Sequence, residues 1–423
     1  MKLKVICLWF LLCAVCMHRP TLAQSSLISS LVLAGQPAPG TGGGTYSQFG
    51  QVCINRSGVV VFNATVTGGN TAGGIFLYTG GTISPVALAG QPAPGTGGGT
   101  FFGFTNPQIN NLGKIAFRAA MQGGKSTTGI FFFSDGTISA IALEGQLVSD
   151  SQLRLSSLVN HSLNDANAVA IEARTFTPEA GNTQGIFLFS NSTLSTIALP
   201  DGKNHVSLSS PSLNSNGAMT FVHWSLVGPP RQTSATAVSL RQVTTAMIAS
   251  RGQSAPGTSG GQFASAIGGG LQAPILSASG ALAFVSEIGG GGARQGIFLR
   301  SGESLSAVVL QGQLTPGTTG RFDRFHNVLL NNTGQLIFLA RSVTVTPALL
   351  RVYQTGIFQA SGGTIAPVAL EGGLAPGTGT GIFSSLGDPY NRNAVAFQDA
   401  LVVFVAKMSG GSANQGIFLA RLS

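Results

Sequence analysis

The histidine and carboxylate side chains are the groups in this sequence that could perform acid–base or metal chemistry. Beyond the first 23 residues there are four histidines, none at metal-ligand spacing from another: His161, His205, His223 and His326. The 13 aspartates and glutamates are equally dispersed. The glycine-rich stretches Gly42 to Gly44 and Gly289 to Gly292 lack the Lys-Ser/Thr pair of a phosphate-binding loop. Local spacing therefore predicts no metal, no cofactor and no catalytic motif.

Distant residues could still converge in three dimensions. The candidates lie near the first two predicted strands of their repeats: His161, Asp165, Glu172, Asp388 and Tyr390. Such groups could act as general acids and bases on an extracellular glycan or peptide if the fold brought them to a common centre. This enzyme is the alternative to a non-catalytic binding protein, and the fold decides between the two.

The first 23 residues are predicted to be an export signal rather than part of the fold. A basic start precedes the apolar run Val5 to Met17, which is too short for the roughly 20 residues that span a bilayer. The small-residue site Thr21-Leu22-Ala23 predicts cleavage before Gln24. We therefore expect a secreted or extracytoplasmic protein: periplasmic, on the cell surface or extracellular. No membrane span is expected in the mature chain.

Removal of this signal changes the cysteine and charge counts. Only Cys53 remains, so no internal disulfide is possible and a small buried hydrophobe is the expected role. The whole chain carries 22 Lys and Arg against 13 Asp and Glu. Without Lys2, Lys4 and Arg19 the balance becomes 19 minus 13, or +6. The cations are scattered singly rather than clustered, so a nucleic-acid partner is excluded.

Three phrases recur along the chain and define its organisation. Leu33-Ala-Gly-Gln-Pro-Ala-Pro-Gly-Thr-Gly-Gly-Gly-Thr45 returns unchanged as Leu88 to Thr100. Weaker copies begin at Arg251, Gln311 and Glu371, and decayed ones lie at Glu144 and Asp201. The second phrase is Asn-x-x-Gly-x-x-Ala-Phe, with copies at 55–62, 110–117, 164–171, 214–221, 277–284, 331–338 and 390–397. The third is Gly-Ile-Phe-Leu, at Gly74, Gly129, Gly185, Ala237, Gly296, Gly356 and Gly416. Each phrase therefore occurs seven times.

Each unit of about 55 residues is predicted to form four short strands. In the second unit, strand one is Phe104 to Ile109 and strand two is Lys114 to Ala119. Strand three is the Gly-Ile-Phe-Leu run, and strand four is an apolar stretch such as Thr82 to Leu88. Asn-x-x-Gly fits a tight turn, and Gly80-Gly81 and Asp135-Gly136 fit two-residue hairpins. The Pro- and Gly-rich phrase is predicted to be a stiff crossover between units.

This pattern predicts an all-β fold, a seven-bladed β-propeller with four-stranded antiparallel blades, over residues 24–423. The chain opens in mid-unit with a fourth strand, Leu31 to Ala34, and closes with a third strand, Gly416 to Ala420. Pairing these two would complete the seventh blade and remove an exposed sheet edge. The N-terminal strand must then be outermost, so strand one of each unit should line the central channel. A monomer is expected.

The second phrase resembles that of a bacterial secreted family known by tandem Asn-x-x-Gly-x-x-Ala-Phe repeats. The resemblance covers residues 31 to 420. One copy matches fully, through Asn110, Gly113, Ala116 and Phe117, and other copies depart at Asn167, Ser277, Tyr390 and Asn393. Members often carry a C-terminal surface anchor, and we expect none after Leu419 to Ser423. The resemblance implies no established activity.

Function is expected where the copies differ. The residue before the crossover glycine is Ala34, Ala89, Glu144, Asp201, Arg251, Gln311 or Glu371. The loop between strands two and three ranges from short (68–73) to long (226–236 and 343–354), and should share a face with the crossover. Loops on a rigid scaffold commonly carry binding sites. We predict a non-catalytic binding or surface-interaction module that contacts a neutral polar ligand, such as a glycan or a protein surface, through Glu144, Arg251, Gln311 and Glu371.

Overall fold

A computed structural model describes residues 28–177, 181–201, 207–227, 232–241, 245–264, 273–387 and 392–422. The predicted signal, residues 1–23, lies outside these ranges. The described chain forms seven antiparallel sheets, each with four strand positions, and strand one of every sheet borders one central cavity. This is the predicted seven-bladed β-propeller. Within the described residues, no helix is long and apolar enough to cross a membrane.

The strands follow the predicted order. The first strand is β1 (Ile28–Leu33). Blade 1 is β2 (Thr45–Ile54), β3 (Val60–Thr67), β4 (Gly73–Thr79) and β5 (Thr82–Leu88), and blade 2 is β6 (Thr100–Ile109), β7 (Ile115–Gln122), β8 (Thr128–Ser134) and β9 (Thr137–Leu143). Blade 3 is β10 (Arg154–Leu163), β11 (Val169–Thr177), β12 (Gly181–Ser190) and β13 (Thr193–Ala198). Blade 4 is β14 (Ser207–Leu213), β15 (Met219–Val227), β16 (Gln232–Arg241) and β17 (Thr245–Ser250).

In blades 5 and 7 the first strand is split into two pieces that both pair with strand two. Blade 5 is β18 (Gln262–Phe263), β19 (Ile275–Leu276), β20 (Leu282–Gly289), β21 (Gln295–Ser301) and β22 (Ser304–Leu310). Blade 6 is β23 (Arg321–Leu330), β24 (Leu336–Val345), β25 (Arg351–Ser361) and β26 (Thr364–Leu370). Blade 7 is β27 (Ile382–Leu386), a 3-10 turn (Arg392–Ala394), β28 (Val395–Gln398), β29 (Leu401–Ser409) and β30 (Gln415–Arg421), and β1 completes it.

Both ends of the chain close the ring, as predicted. β1 pairs antiparallel with β30 as the outer strand, placing Val32 opposite Ile417 and Leu33 opposite Gly416. The Gln415 side chain then bonds blade 1: its Oε1 accepts from Phe49 N at 3.0 Å and its Nε2 donates to Phe49 O at 3.0 Å. Strand one of each blade is innermost.

The repeated apolar residues pack between neighbouring blades because successive side chains of a strand point to opposite faces. In blade 2, Phe117 and Phe131 stack at 5.8 Å and join a cluster with Val61 of blade 1. Ala116 and Ile130 face the other way and join a cluster with blade 3. Packing between neighbouring blades therefore explains two repeated features: the Ala-Phe alternation of the second phrase and the Ile-Phe pair of the third.

The turn asparagines connect one blade to the next as well as capping their own turns. Asn110 Oδ1 accepts from the backbone nitrogens of Leu112 and Lys114, at 3.1 and 2.9 Å. Its Nδ2 donates to the carbonyl oxygen of the next turn, at Asn164. The same inter-blade bond is made by Asn55, Asn164, Asn214 and Asn331, at 2.9–3.2 Å. We call these five bonds the asparagine belt.

One predicted repeat is wrong. The copy at 390–397 was assigned to the turn and second strand of the last unit, but Val395–Gln398 belongs to strand one and pairs with β29. Phe404 stacks with Phe418 and therefore occupies the motif phenylalanine position. The turn in this blade is Asp399-Ala400, and it accepts the bond from Asn331 without an Asn-x-x-Gly sequence. Blade 7 therefore keeps a turn at the same place between strands one and two, although it lacks the Asn-x-x-Gly sequence.

Candidate functional site

Two surfaces could hold a ligand: the central channel and the face that carries the crossovers. The crossovers lie on the same side as the loops between strands two and three, because Asn70 N bonds Thr41 O at 2.7 Å and Lys125 N bonds Thr96 O at 2.8 Å. We call this side the crossover face. The opposite side, which we call the turn face, carries the Asn-x-x-Gly turns and the tight hairpins between strands three and four. Lys114, at the end of one such turn, forms an ion pair with Asp135 of the neighbouring hairpin.

The channel holds a cavity of about 320 Å³ bordered by all seven blades. We call it the channel chamber. Its polar walls come from the ends of the first strands and consist of amides, hydroxyls, one thiol and two imidazoles: Cys53, Asn106, Gln108, Asn160, His161, Ser162, Ser210, Ser212, His326, Asn327, Asn393 and Gln398. The remaining wall is apolar, with prolines, alanines, Val, Ile, Leu and Phe. Among the described lining residues there is no carboxylate, lysine or arginine.

Asn106 organises an amide network across this chamber. Its Nδ2 donates to Asn160 Oδ1 at 2.6 Å, and its Oδ1 accepts from Gln108 Nε2 at 3.2 Å. Asn393 of blade 7 donates to the same Oδ1 across the channel, and Gln51 accepts from the Asn106 backbone nitrogen. Asn106 is 5% exposed and adopts φ +52°, a region that asparagine tolerates better than most residues. Amides from four blades therefore bridge the channel.

Both imidazoles of the chamber are held in the neutral form. Burial lowers the pKa of His161 to about 4; the backbone carbonyl of Ala116 opposes this shift, and nearby Arg118 adds to it. Burial likewise lowers the pKa of His326 to about 4, helped by Arg324 and Arg341. A neutral imidazole can donate and accept hydrogen bonds but carries no proton to transfer as an acid near neutral pH.

Two of the carboxylates proposed for the enzyme alternative, Glu172 and Asp165, do not border the chamber. Glu172 is buried in β11, where it accepts from Gln184 Nε2 at 2.9 Å and from Ser210 N at 2.8 Å. Asp165 lies in the turn of blade 3. Burial opposes its ionisation, but bonds from Asn111 and Ser215 outweigh burial and lower its pKa. Asp388 and Tyr390 lie outside the described residues. Within the described chain, no group of three metal-binding side chains was found.

The four predicted binding residues sit at matching positions on the crossover face, one per blade. Glu144 Oε2 accepts from Thr127 N at 3.1 Å, and Glu371 Oε2 accepts from Thr355 N at 2.7 Å. Gln311 Oε1 accepts from Arg294 N at 3.0 Å. These three side chains therefore brace strand three of their own blade, or the residue just before it, whereas Arg251 is exposed. Comparison of the repeats showed that the residue type varies at this position, but it did not predict these contacts with strand three.

Gln311 also borders a charged groove between blades 5 and 6. Its volume is about 210 Å³, and its lining is Glu287, Arg294, Gln295, Gln311, Asp323, Arg324 and Arg341. Arg341 Nε donates to Asp323 Oδ2 at 2.7 Å. Burial raises the pKa of Glu287, against Arg324 and a bond from Gln295. The three guanidinium and two carboxyl groups leave the groove close to charge balance.

Sequence analysis missed the amides of the chamber. Gln51, Asn106, Asn160 and Ser210 each stand four residues before the turn asparagine of their unit, so a repeated polar position was available as a signal. It was hidden because the residue types differ and because strand one is bulged at this point in blades 1, 2, 3 and 4. Cys53 lies in the chamber wall, where burial raises its thiol pKa.

Solved structures share the fold at low sequence identity. The β-propeller domain of the trilobed protease from Pyrococcus furiosus, described as having an open velcro topology, aligns with 9% identity and a TM-score of 0.51, over 89% of this chain and 96% of that chain. A puromycin-hydrolysing peptidase from Mycobacterium tuberculosis aligns with 12% identity and a TM-score of 0.51, over 89% of this chain but only 52% of that chain. At these identities the likeness concerns the fold alone.

No curated protein matches the sequence. One family model does, over residues 21–200 and again over 169–420, two overlapping segments that together take in nearly the whole described chain. The double match agrees with a chain built from repeats, since one model fits two successive sets of blades. The chain therefore belongs to the family of unknown function DUF7453.

Proposed function

We propose that this chain is an exported, non-catalytic binding propeller whose ligand contacts the crossover face. The observation that carries the proposal is the chemistry of the channel chamber. Its described walls offer amides, hydroxyls and neutral imidazoles, and the two described carboxylates of the enzyme alternative, Asp165 and Glu172, lie outside them. General acid–base catalysis needs a group that exchanges a proton near the working pH. The amide network instead bridges the channel and holds the blades together.

The crossover face is the better binding surface because its side chains vary between blades while its backbone repeats. On the turn face, the asparagine belt uses the side-chain amides for inter-blade bonds, and the two-residue hairpins present glycine. On the crossover face, Glu144, Arg251 and Glu371 offer carboxylate and guanidinium groups at equivalent places. Hydrogen-bonding groups of mixed charge suit a neutral polar ligand, such as a glycan or a protein surface.

The test is a triple substitution of Glu144, Arg251 and Glu371 by Ala. Binding of the purified mature protein to a glycan panel and to whole cells should fall strongly, while a cooperative thermal transition, lowered slightly by loss of the contacts to Thr127 and Thr355, shows that the variant is folded. A matched control replaces Arg56, Asp135 and Glu303 by Ala, which makes the same charge change on the turn face, at side chains exposed by 54%, 82% and 98%. This control should bind like the unmodified protein.

Two results would contradict the proposal. Equal binding by the triple variant and its control would exclude these residues of the crossover face. Turnover of a bound glycan or peptide by the unmodified protein would favour the enzyme alternative. Export is tested separately: N-terminal sequencing of the protein recovered outside the cytoplasm should begin at Gln24.

A further inference from the structure

The hairpin between strands two and three of blade 6 presents an apolar tip to solvent. Five large side chains at or beside this turn are highly exposed: Val345 by 58%, Leu349 by 83%, Leu350 by 66%, Val352 by 54% and Tyr353 by 46%. We call these five residues the blade 6 tip. Single exposed apolar residues are ordinary on protein surfaces, but a contiguous group marks a site of interaction.

The turn keeps a leucine where the backbone favours glycine. Leu349 N bonds Thr346 O at 2.8 Å and Thr346 N bonds Leu350 O at 2.9 Å, which closes a tight turn with Pro347 at its second position. Leu349 itself adopts φ +59°. A bulky residue in this left-handed region is unfavourable relative to glycine. The side chain is therefore present at a cost to the fold and contributes no packing to the core.

The hairpin that ends in the tip carries two arginines and no acidic residue, and one of these arginines, Arg341, pairs with Asp323 of β23. The segment 325–370 contains no aspartate or glutamate, and its two charged residues are Arg341 and Arg351. Arg351 is exposed beside the tip, and the guanidinium of Arg341 lies 4.5 Å from the ring centre of Tyr353. The tip thus combines aliphatic side chains and a tyrosine with Arg351, for which the described part of the chain offers no ion-pair partner.

The neighbouring crossovers extend this apolar sector. Leu314, on the crossover into blade 6, is 70% exposed, and Leu374, on the crossover out of blade 6, is 60% exposed. The same position holds Pro37, Pro92 and Ser254 in three other units and Leu147, which is 42% exposed, on the crossover into blade 3. Blade 6 therefore carries apolar side chains on its loop and on both flanking crossovers, all on the crossover face.

We propose that the blade 6 tip inserts into the interfacial layer of an anionic phospholipid bilayer. This contact goes beyond the proposed function, because residues other than Glu144, Arg251, Gln311 and Glu371 make it. Aliphatic side chains enter the boundary between headgroups and acyl chains, tyrosine favours the interface, and arginine is attracted by anionic headgroups. One short hairpin buries little area, so binding is reversible and weakens as salt increases.

The experiment is flotation of the mature protein with vesicles of phosphatidylcholine alone or mixed with phosphatidylglycerol. The unmodified protein should float with the mixed vesicles. The double variant Leu349→Gly, Leu350→Ser should lose at least about tenfold in affinity. It should also melt no lower than the unmodified protein, because glycine relieves the positive φ. Arg351→Gln should reduce the preference for phosphatidylglycerol.

A matched control is Leu112→Ser, which removes a leucine that is 61% exposed in an Asn-x-x-Gly turn on the opposite face. It should float like the unmodified protein. Absence of flotation, or equal flotation of the double variant, would overturn the proposal. Cell binding that requires the tip, disappears after protease treatment of the cells and is not reproduced by vesicles would indicate a protein partner instead.

The two proposals fail in distinguishable ways. The triple variant of Glu144, Arg251 and Glu371 should float normally, because these residues lie outside the tip. Glycan binding with no vesicle binding would leave the proposed function standing and refute the lipid contact. Vesicle binding by a protein that recognises no glycan and no protein would refute the proposed function and leave the lipid contact standing.

Discussion

Asn110 donates its side-chain amide to the carbonyl oxygen of Asn164 at 3.0 Å, joining equivalent turns of two blades that are 54 residues apart. The same side chain caps its own turn through Oδ1. One asparagine thus serves local and long-range structure at once. This explains why the residue recurs at a position where serine or aspartate could also begin a turn.

The belt predicts opposite effects for two substitutions. Asn110→Asp keeps the capping oxygen but loses the donor to blade 3, so the free energy of unfolding should fall by roughly 1–3 kcal/mol. Ser277 caps its turn through Oγ, which accepts from Ala281 N at 3.0 Å, but has no amide to offer the next blade. Ser277→Asn should stabilise by roughly 0.5–1.5 kcal/mol through a new bond to the Asn331 carbonyl. Urea denaturation measures both, and a destabilising Ser277→Asn would refute the belt's role.

Ring closure predicts a global effect from a terminal deletion. Removal of Gly416 to Ser423 takes away the partner of β1 and the fully buried Ile417 and Phe418. The loss should exceed about 3 kcal/mol, judged from the cost of emptying buried apolar sites. Differential scanning calorimetry should show a much lower transition temperature. Deletion of Ser423 alone is the control, and an unchanged transition in the longer deletion would mean that closure does not stabilise the ring.

His161 predicts a loss of stability in mild acid. Its pKa is about 4 in the folded protein and 6.5 in the unfolded chain. The unfolded chain therefore binds a proton first as pH falls, so stability is greatest above pH 6.5 and declines as pH approaches 4. The full difference corresponds to roughly 3 kcal/mol. Denaturation at pH 7 and pH 5 should show this decline, and His161→Gln should reduce it. An equal decline in the variant would assign the effect to other groups.

The glycine that opens strand three predicts a packing cost. A methyl group at Gly129 would lie 2.7 Å from Leu143 Cδ2 and 2.8 Å from Phe131 Cε2, so the Leu143 side chain and the buried Phe131 ring would have to shift. Gly129→Ala should therefore destabilise by about 1–3 kcal/mol. Gly103→Ala in the same blade is the control, because nothing lies within 4 Å of a methyl group there. Equal effects of the two substitutions in urea denaturation would contradict this explanation.

Part of this structure is determined locally and could be derived from sequence. The turn formed by Asn110 and Gly113, the hairpin at Asp135-Gly136 and the alternation of Ala116 and Phe117 each depend on neighbouring residues in the chain. Because the turn recurs in six units and the Gly-Ile-Phe-Leu phrase in seven, these features also predicted the number of blades. The split of the last unit between Leu33 and Gly416 then specified how the ring closes.

The candidate site depended on contacts that no local pattern contains. Asn106 and Asn393 are 287 residues apart, and they meet because the ring brings strand one of every blade to the same axis. Glu144 appears variable and free in sequence, yet it braces Thr127 across the loop of its own blade. Sequence determined the blades because their hydrogen bonds and packing repeat with the chain. Only the tertiary structure decided the chamber and the exposed tip at Leu349, because both depend on which side chains remain uncovered once the blades have packed.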